Sequence, residues 1–557
     1  MVSDSKAFFS KSELKEILVG AHYVDEQMFQ KVADQAETDK HILDTLFAEG
    51  ALSKDLWGQA LAEFFEVVYA DLNSYPPTKE TVLRLPEDVA REHRVVIFDE
   101  NENTVIFSTD AIEKNKGTVD ELQDLFPNKK IVFALSLSDD VDRTLLLYRK
   151  PLQQRLSSFI SASNETVPEI LKEILSEAQS QNASDVHFEP IVKQDLVTVR
   201  LRIDGVLQKL AELPATVYEN LLNRIKVLSD LRIDEHQRVQ DGALRFSIDT
   251  KDIDIRVSIA PTVAGEKITL RILSEYIESF SPEVLGMSAE QVSMLKQIAR
   301  KPFGMVVICG PTGSGKTTTA YTLLSDISNE TINVTTIEDP VEYRMRGINQ
   351  IQVRPEAGIN FAAGLRSIVR QDPDVIFVGE IRDKETAEIA VNAALTGHLL
   401  MSTFHATSAS TTIPRLLEME VEPFLLASTL SVVVAQRLVR KLCESCRYSE
   451  QVNRKDLDLL FEDSKSYFNE EKVTLYKSKG CPACNGTGFQ GRTVVVEILE
   501  INEAIRTLIT SAATAKQIES QARQDGMSVL FEDGIKKVKA GVTSLAELFR
   551  VVEEPGK

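Results

Sequence analysis

The chain opens MVSDSKAFFSKSELKEILVG, with charges throughout, so it lacks the apolar core of an export signal. Its longest apolar run, around Phe424 to Ala435, falls far short of the ~20 residues a membrane-crossing helix needs. The two absences argue against export and against direct membrane insertion, and the expectation is a cytoplasmic protein. Cysteine is scarce, five in 557 residues. Without an export signal, the two CxxC pairs among them read as metal ligands before disulfides. Basic residues are outnumbered, 63 Lys and Arg against 84 Asp and Glu, and the net charge of −21 argues against a nucleic-acid partner, whose phosphates need a basic track. No internal repeat and no low-complexity tract is found.

What is present is an ordinary globular composition, 43% hydrophobic and 26% charged. The length exceeds what one core accommodates and predicts three or four folding units. Residues 1–148 read as a small α+β module: amphipathic helical segments (40–48 and 56–65) followed by strand-like runs at 94–98, 104–107 and 130–135. The polar, Ser-rich stretch 149–165 reads as a linker, and residues 166–280 as a second, mixed α/β domain. That domain begins with a helix capped by Thr166, whose apolar face is Ile170, Leu171, Ile174, Leu175 and Ala178. Asp204 and Gly205, between two alternating runs, signal a hairpin. In residues 281–500, continuously apolar runs at 305–309, 333–337, 374–378 and 399–403 alternate with helical segments, which means a parallel sheet covered on both faces. Residues 501–557 read as a C-terminal helical region.

The stretch Gly310, Pro311, Thr312, Gly313, Ser314, Gly315, Lys316, Thr317 matches GxxxxGK[ST], directly after an apolar strand and before a helix. Such a loop turns consecutive backbone N–H groups onto the phosphates of a nucleotide, with the helix dipole behind them. Lys316 is expected to neutralise β- and γ-phosphate oxygens and Thr317 to ligate Mg²⁺, with Thr318 and Asp339 completing the ATP contacts. Cys309, ending the strand, reads as core. Two acids follow strands at suitable distances, Glu338 in TIEDPVE (336–342) and Glu380 in DVIFVGEIRD (374–383). Strand C-termini are where open α/β sheets bind ligands. Glu338 is assigned to orienting or deprotonating the attacking water and Glu380 to the Mg²⁺ shell, with the reverse assignment left open. His398 is the first candidate for sensing the γ-phosphate and His405 the second.

GPTGSGKTTT, TIEDPVEY, RQDPDVIFVGEIRD and TGHLLMSTFHATSA, in this order and spacing, resemble the Walker A, aspartate, Walker B and histidine boxes of the secretion ATPases of type II secretion and type IV pilus assembly. SDVHFEP (184–190), RLRIDG (200–205), QDG (240–242), DIRVS (254–258) and LRIL (270–273) extend the resemblance over roughly residues 165–500. It implies a RecA-like ATPase domain preceded by a PAS-like domain, assembled as a ring hexamer in which Arg256 and Arg271 support the transition-state charge. The family usually continues QDG with arginine, and Ala243 stands there instead, with Arg245 the nearest replacement. More softly, LFAEGALS (46–53), ALAEFF (60–65) and LPEDVAR (85–91) look like the amino-terminal module of assembly ATPases. Where some relatives start this segment with Arg-Leu-Gly and bind cyclic di-GMP, this chain reads His41-Ile-Leu43, so no such binding is expected.

Cys443, Cys446, Cys481 and Cys484 form CESC and CPAC turns suited to tetrahedral zinc. The 34 residues between the pairs (447–480) exceed the usual ribbon spacing, which leaves buried free thiols as the alternative. Assembly-type relatives carry a tetracysteine zinc element here and retraction-type relatives lack it, so the resemblance implies Zn²⁺ beside ATP and Mg²⁺. It further implies a hexameric motor for pilus assembly or pseudopilus extension that turns a polytopic inner-membrane platform protein and reaches pilin or pseudopilin subunits indirectly. The competing readings are a retraction motor and a DNA-translocating motor.

Overall fold

The computed structural model describes residues 9–35, 42–43, 45–46, 52–115, 117–148, 152–160, 167–192, 194–248, 251–273, 285–459 and 464–554. Most of the expected 40–48 helix, His41 and the Thr166 cap lie outside them. The chain divides into two compact units, one built on residues 1–151 and one on residues from 152 onward, with the short stretches 444–446 and 480–487 grouped with the first.

The first unit holds strands β1 (Val68–Tyr69), β2 (Val95–Glu100), β3 (Thr104–Thr109) and β4 (Lys130–Leu135) in the order β1-β4-β3-β2. The β2–β3 pair is antiparallel and the others parallel. The helix Lys54–Phe64 starts at Ser53, whose hydroxyl accepts the Leu56 N–H.

The second unit contains two larger sheets. The first comprises β5 (Asp185–Pro190), β6 (Leu196–Ile203), β7 (Val206–Pro214), β8 (Gln240–Ile248), β9 (Lys251–Thr262) and β10 (Gly265–Leu273), all antiparallel, in the order β7-β6-β5-β10-β9-β8. Asp204 and Gly205 have φ of 48° and 81°, the left-handed pair that a two-residue hairpin turn demands. The helix Val167–Ser180 buries the five apolar residues expected of it. Residues Leu152–Ile160, within the stretch read as a linker, form a helix, because Leu152 and Leu156 find burial in the same core.

The second sheet of this unit comprises β11 (Gly304–Cys309), β12 (Val334–Glu338), β13 (Ile348–Gln352), β14 (Val375–Val378), β15 (Leu399–Phe404), β16 (Leu430–Leu442) and β19 (Phe489–Glu500), in the order β13-β12-β14-β15-β11-β16-β19. Every pair is parallel except the antiparallel edge pair β16–β19. Met305, Val307 and Cys309 pack into one core and Val306 and Ile308 into the other, so both faces are covered. Each such aliphatic side chain contributes about 1.5–3 kcal/mol on burial, which is why these strands read as unbroken apolar runs. The helices from Glu503 to Val551 share one of these cores through Ile505, Ile518, Phe531 and Leu548. Between β16 and β19, the antiparallel strands β17 (Arg447–Asn453) and β18 (Lys472–Ser478) form a separate ribbon.

Candidate active site

The chain leaves β11 through a loop that only glycine fits at several points. Gly313 and Gly315 have φ of 76° and 87°, in the left-handed region. The helix Lys316–Ile327 begins at once, so its free amides and its dipole face the loop. Ser314 and Lys316 are buried, Thr317 and Thr318 half-buried, and Pro311, Thr312 and Gly313 form the exposed rim. The Lys316 ammonium donates to the carbonyls of Gly310 and Pro311, both at 3.0 Å. It has three protons, so one remains for a phosphate oxygen. Burial lowers its pKa while the charge of Glu380 raises it, and a phosphate beside it acts in the same direction as Glu380.

Strand register decides what faces this loop. Cys309 is level with Phe404, and Ile337, Val378 and Ser402 are level with one another. Glu338, Glu380 and His405 therefore share the loop's edge of the sheet. His398 does not. It precedes Leu399, which is level with Gly304 at the opposite end of β11, and its carbonyl accepts the Gly304 N–H. Five residue steps of ~3.3 Å separate the two edges. The parallel register carries His398, the first candidate for sensing the γ-phosphate, to the far edge of the sheet, where its Nδ1 lies 2.9 Å from the Ala393 carbonyl. His405, by contrast, has Nε2 3.4 Å from Glu380 Oε2.

The two acids have different surroundings. Glu338 ends β12 with its side chain pointing inward, 2% exposed. It accepts hydrogen bonds from the Tyr321 hydroxyl, from Thr336 Oγ1 at 2.5 Å and from Gln350 Nε2 at 3.3 Å. Burial raises its pKa against those bonds. Three of its acceptor positions are thus taken inside the fold, which leaves Glu338 less open to a water than an acid on the surface of the same sheet edge. Glu342, four residues on and outside the strand, is partly exposed. Glu380 has one oxygen 2.5 Å from Arg382 Nη2, while the other is buried without a hydrogen bond. A buried, unbonded carboxylate oxygen beside the lysine of the loop fits Mg²⁺ or one of its waters. Cys309 is fully buried and its thiol is pushed up to about 12 by burial, which leaves it a core residue.

Arg256 reaches this region from the antiparallel domain, 3.5 Å from Glu342 Oε2 and donating to the Val341 carbonyl at 3.2 Å. Arg271, its cross-strand neighbour, donates to Asp185 at 3.0 Å. Ala243 is directly opposite Arg256 on the other side, so an arginine there would extend the same row. Arg245 does not replace it, because it makes a two-pronged pair with Asp254 at 2.7 and 3.0 Å.

The four cysteines meet despite their spacing. Arg447 pairs with Ser478 across the β17–β18 ribbon, which folds the long insertion back and brings the two CxxC turns together. All four sulfurs lie within 4.8 Å of one another, with Cys446 and Cys481 3.9 and 3.7 Å from Cys484. A tetrahedral centre with Zn–S bonds of ~2.3 Å needs sulfurs ~3.8 Å apart. The cluster is compatible with Zn²⁺.

A phosphate-binding loop opening a helix, with an acid and a histidine on the same sheet edge, defines a P-loop ATPase. Residues 161–550 match the family described as type II/IV secretion system protein, and the chain belongs to that family. Residues 65–154 match the MshEN domain. The type IV pilus assembly ATPase PilB of Thermus thermophilus is 37% identical over 92% of this chain, which spans 59% of that relative. The type II secretion system protein E of Pseudomonas aeruginosa is 40% identical over 76% of this chain and 83% of its own length. The ATPase DotB of Yersinia pseudotuberculosis shares the fold, with a TM-score of 0.52 at 20% identity over 72% of this chain and 95% of that one.

Proposed function

We propose that this chain hydrolyses Mg-ATP as a homo-hexameric cytoplasmic motor for type IV pilus assembly or type II secretion, driving a polytopic inner-membrane platform protein and, through it, pilin or pseudopilin subunits. The observation that carries the reading is the convergence of Lys316, Glu380 and His405 on one edge of the parallel sheet. ATP supplies the transferable phosphoryl group and Mg²⁺ the charge that bridges its oxygens. The amides of residues 310–317 and Lys316 hold the phosphates, while Thr317 and Glu380 provide the oxygens for the metal. Glu342 serves as the water-orienting acid in preference to Glu338, and His405 faces the reacting phosphate. Arg256 and Arg271 add positive charge from the antiparallel domain, Arg256 after release from Glu342. No helix of the described residues is long and apolar enough to cross a membrane, which agrees with attachment through a partner. Pilus assembly is favoured over retraction by the tetracysteine cluster and by the similarity to PilB along most of the chain. The test is phosphate release by the purified chain with and without the cytoplasmic part of a platform protein. Stimulation by that fragment and not by DNA is expected, and stimulation by DNA alone would select the translocase.

We propose that the four cysteines hold structural zinc. Elemental analysis should find about one zinc per chain, the stoichiometry of one closed four-thiolate site. Cys481→Ser should lose the metal and melt at lower temperature while keeping its Mg-nucleotide affinity. Metal-free protein with four titratable thiols and a parent-like melting point would reject the site.

A further inference from the structure

Beside the phosphate loop, in the middle of the apolar strand β16, lies a side chain that packing does not explain. Gln436 is fully buried between Ala435 and Arg437, and both ends of its amide are used. Its Nε2 donates to the Ser314 carbonyl at 2.8 Å, and its Oε1 accepts from Thr319 Oγ1 at 2.9 Å. The Ser314 carbonyl can only accept, so the orientation of the amide is settled by chemistry. The backbone there is equally close. A Cβ at Gly310 would come within 2.7 Å of the Gln436 carbonyl oxygen, and one at Gly315 within 3.2 Å of Nε2. The next residue faces the other way along the strand. Arg437 donates to the Gln436 carbonyl at 2.9 Å and to the Thr407 carbonyl at 2.6 Å, in the loop that follows His405.

We infer that Gln436 is a positioning residue of the nucleotide site, aiming the Gly315 amide and the first turn of the Lys316–Ile327 helix at the phosphates. The reason is peptide geometry. In a planar trans peptide the carbonyl and the following N–H point in opposite directions. Holding the Ser314 carbonyl against β16 therefore turns the Gly315 N–H away from the strand. The bond to Thr319, one turn after Lys316, sets the rotation of the helix whose free amides complete the cradle. Arg437, half-buried, ties the histidine loop to the same point of β16, so both loops are referred to one dipeptide. This inference rests on the nucleotide reading proposed above and adds a residue to it.

Binding of Mg-ADP, followed by calorimetry on the full chain, separates the two. Absence of binding by the parent protein would overturn the nucleotide reading itself. With a binding parent, Gln436→Met, which keeps length and burial but loses both hydrogen bonds, is expected to weaken affinity about tenfold, with KM raised more than kcat is lowered, because ground-state and transition-state phosphates lose the same contact. Thr319→Val removes the hydroxyl bond alone and should weaken affinity by a smaller factor. The double variant should be no weaker than Gln436→Met, since the second bond is already gone. Should Gln436→Met fail to fold, Gln436→Glu takes its place: it keeps the acceptor for Thr319 and loses the donor to Ser314, and the same tenfold weakening is expected. A folded Gln436 variant that binds Mg-ADP within about twofold of the parent, or Thr319 and Gln436 effects that simply multiply, would overturn the inference.

Discussion

Lys316→Ala should abolish ATP turnover, with a loss of at least about a thousandfold, the scale on which removal of a charged transition-state contact acts in phosphoryl transfer. The lysine is the buried cation of the loop, held there by the Gly310 and Pro311 carbonyls. The fold should survive. The substitution removes two hydrogen bonds to loop carbonyls, worth roughly 1 kcal/mol each. The Pro311 carbonyl, on the exposed rim, can also be reached by water once the side chain is gone. Phosphate release and a thermal melt on the same sample check both halves. Hydrolysis at the parent rate by a folded variant would remove the site from the 310–317 loop.

His405→Ala and His398→Ala should separate by about a hundredfold in kcat, the loss falling on His405. The two histidines are seven positions apart in one box, with His398 the first candidate on sequence alone. The sheet separates them: β15 runs parallel to and in register with β11, so the residue after β15 lies on the edge of the phosphate loop and the residue before it at the opposite end of β11. His398→Ala should stay within about twofold of the parent, which is what ~0.5 kcal/mol at a peripheral position amounts to. Loss of turnover in His398→Ala with normal turnover in His405→Ala would mean that nucleotide binds at the other edge of the sheet. Equal losses would point to a fold defect, which the melting curve of each variant reveals.

The strands of the ATPase domain were legible because a strand buried on both faces is largely apolar, as β11 and β14 are throughout and β12 and β15 are apart from Thr335, Thr336, Glu338, Ser402 and Thr403. The run from Phe424 to Ala435 divides into the helix Pro423–Thr429, which leaves Phe424 exposed, and the start of the buried strand β16. A short apolar run does not by itself distinguish the two. Strand β13 was illegible for the opposite reason: it is an edge strand with a mixed, half-exposed pattern. Glu342 was visible inside TIEDPVEY. Its advantage over Glu338 was not, because it depends on where β12 stops and which carboxyl turns into the core. For Gln436 and Arg437 no signal stood out in a run of valines and leucines.

Chemistry carried by consecutive residues could be read directly. The phosphate loop, the acid-bearing boxes, the Asp204–Gly205 turn and the CxxC turns are local arrangements in which neighbouring backbone and side-chain atoms suffice to imply the contact. Register, the side of the sheet and the partners of buried polar atoms were decided by folding. They placed His405 beside Glu380 and His398 far from it, enclosed Glu338, closed the cysteine cluster across a 34-residue insertion (447–480) and set Gln436 against the phosphate loop. Each of these depends on which distant segments pair, and pairing minimises the energy of the whole core rather than that of any single stretch of chain.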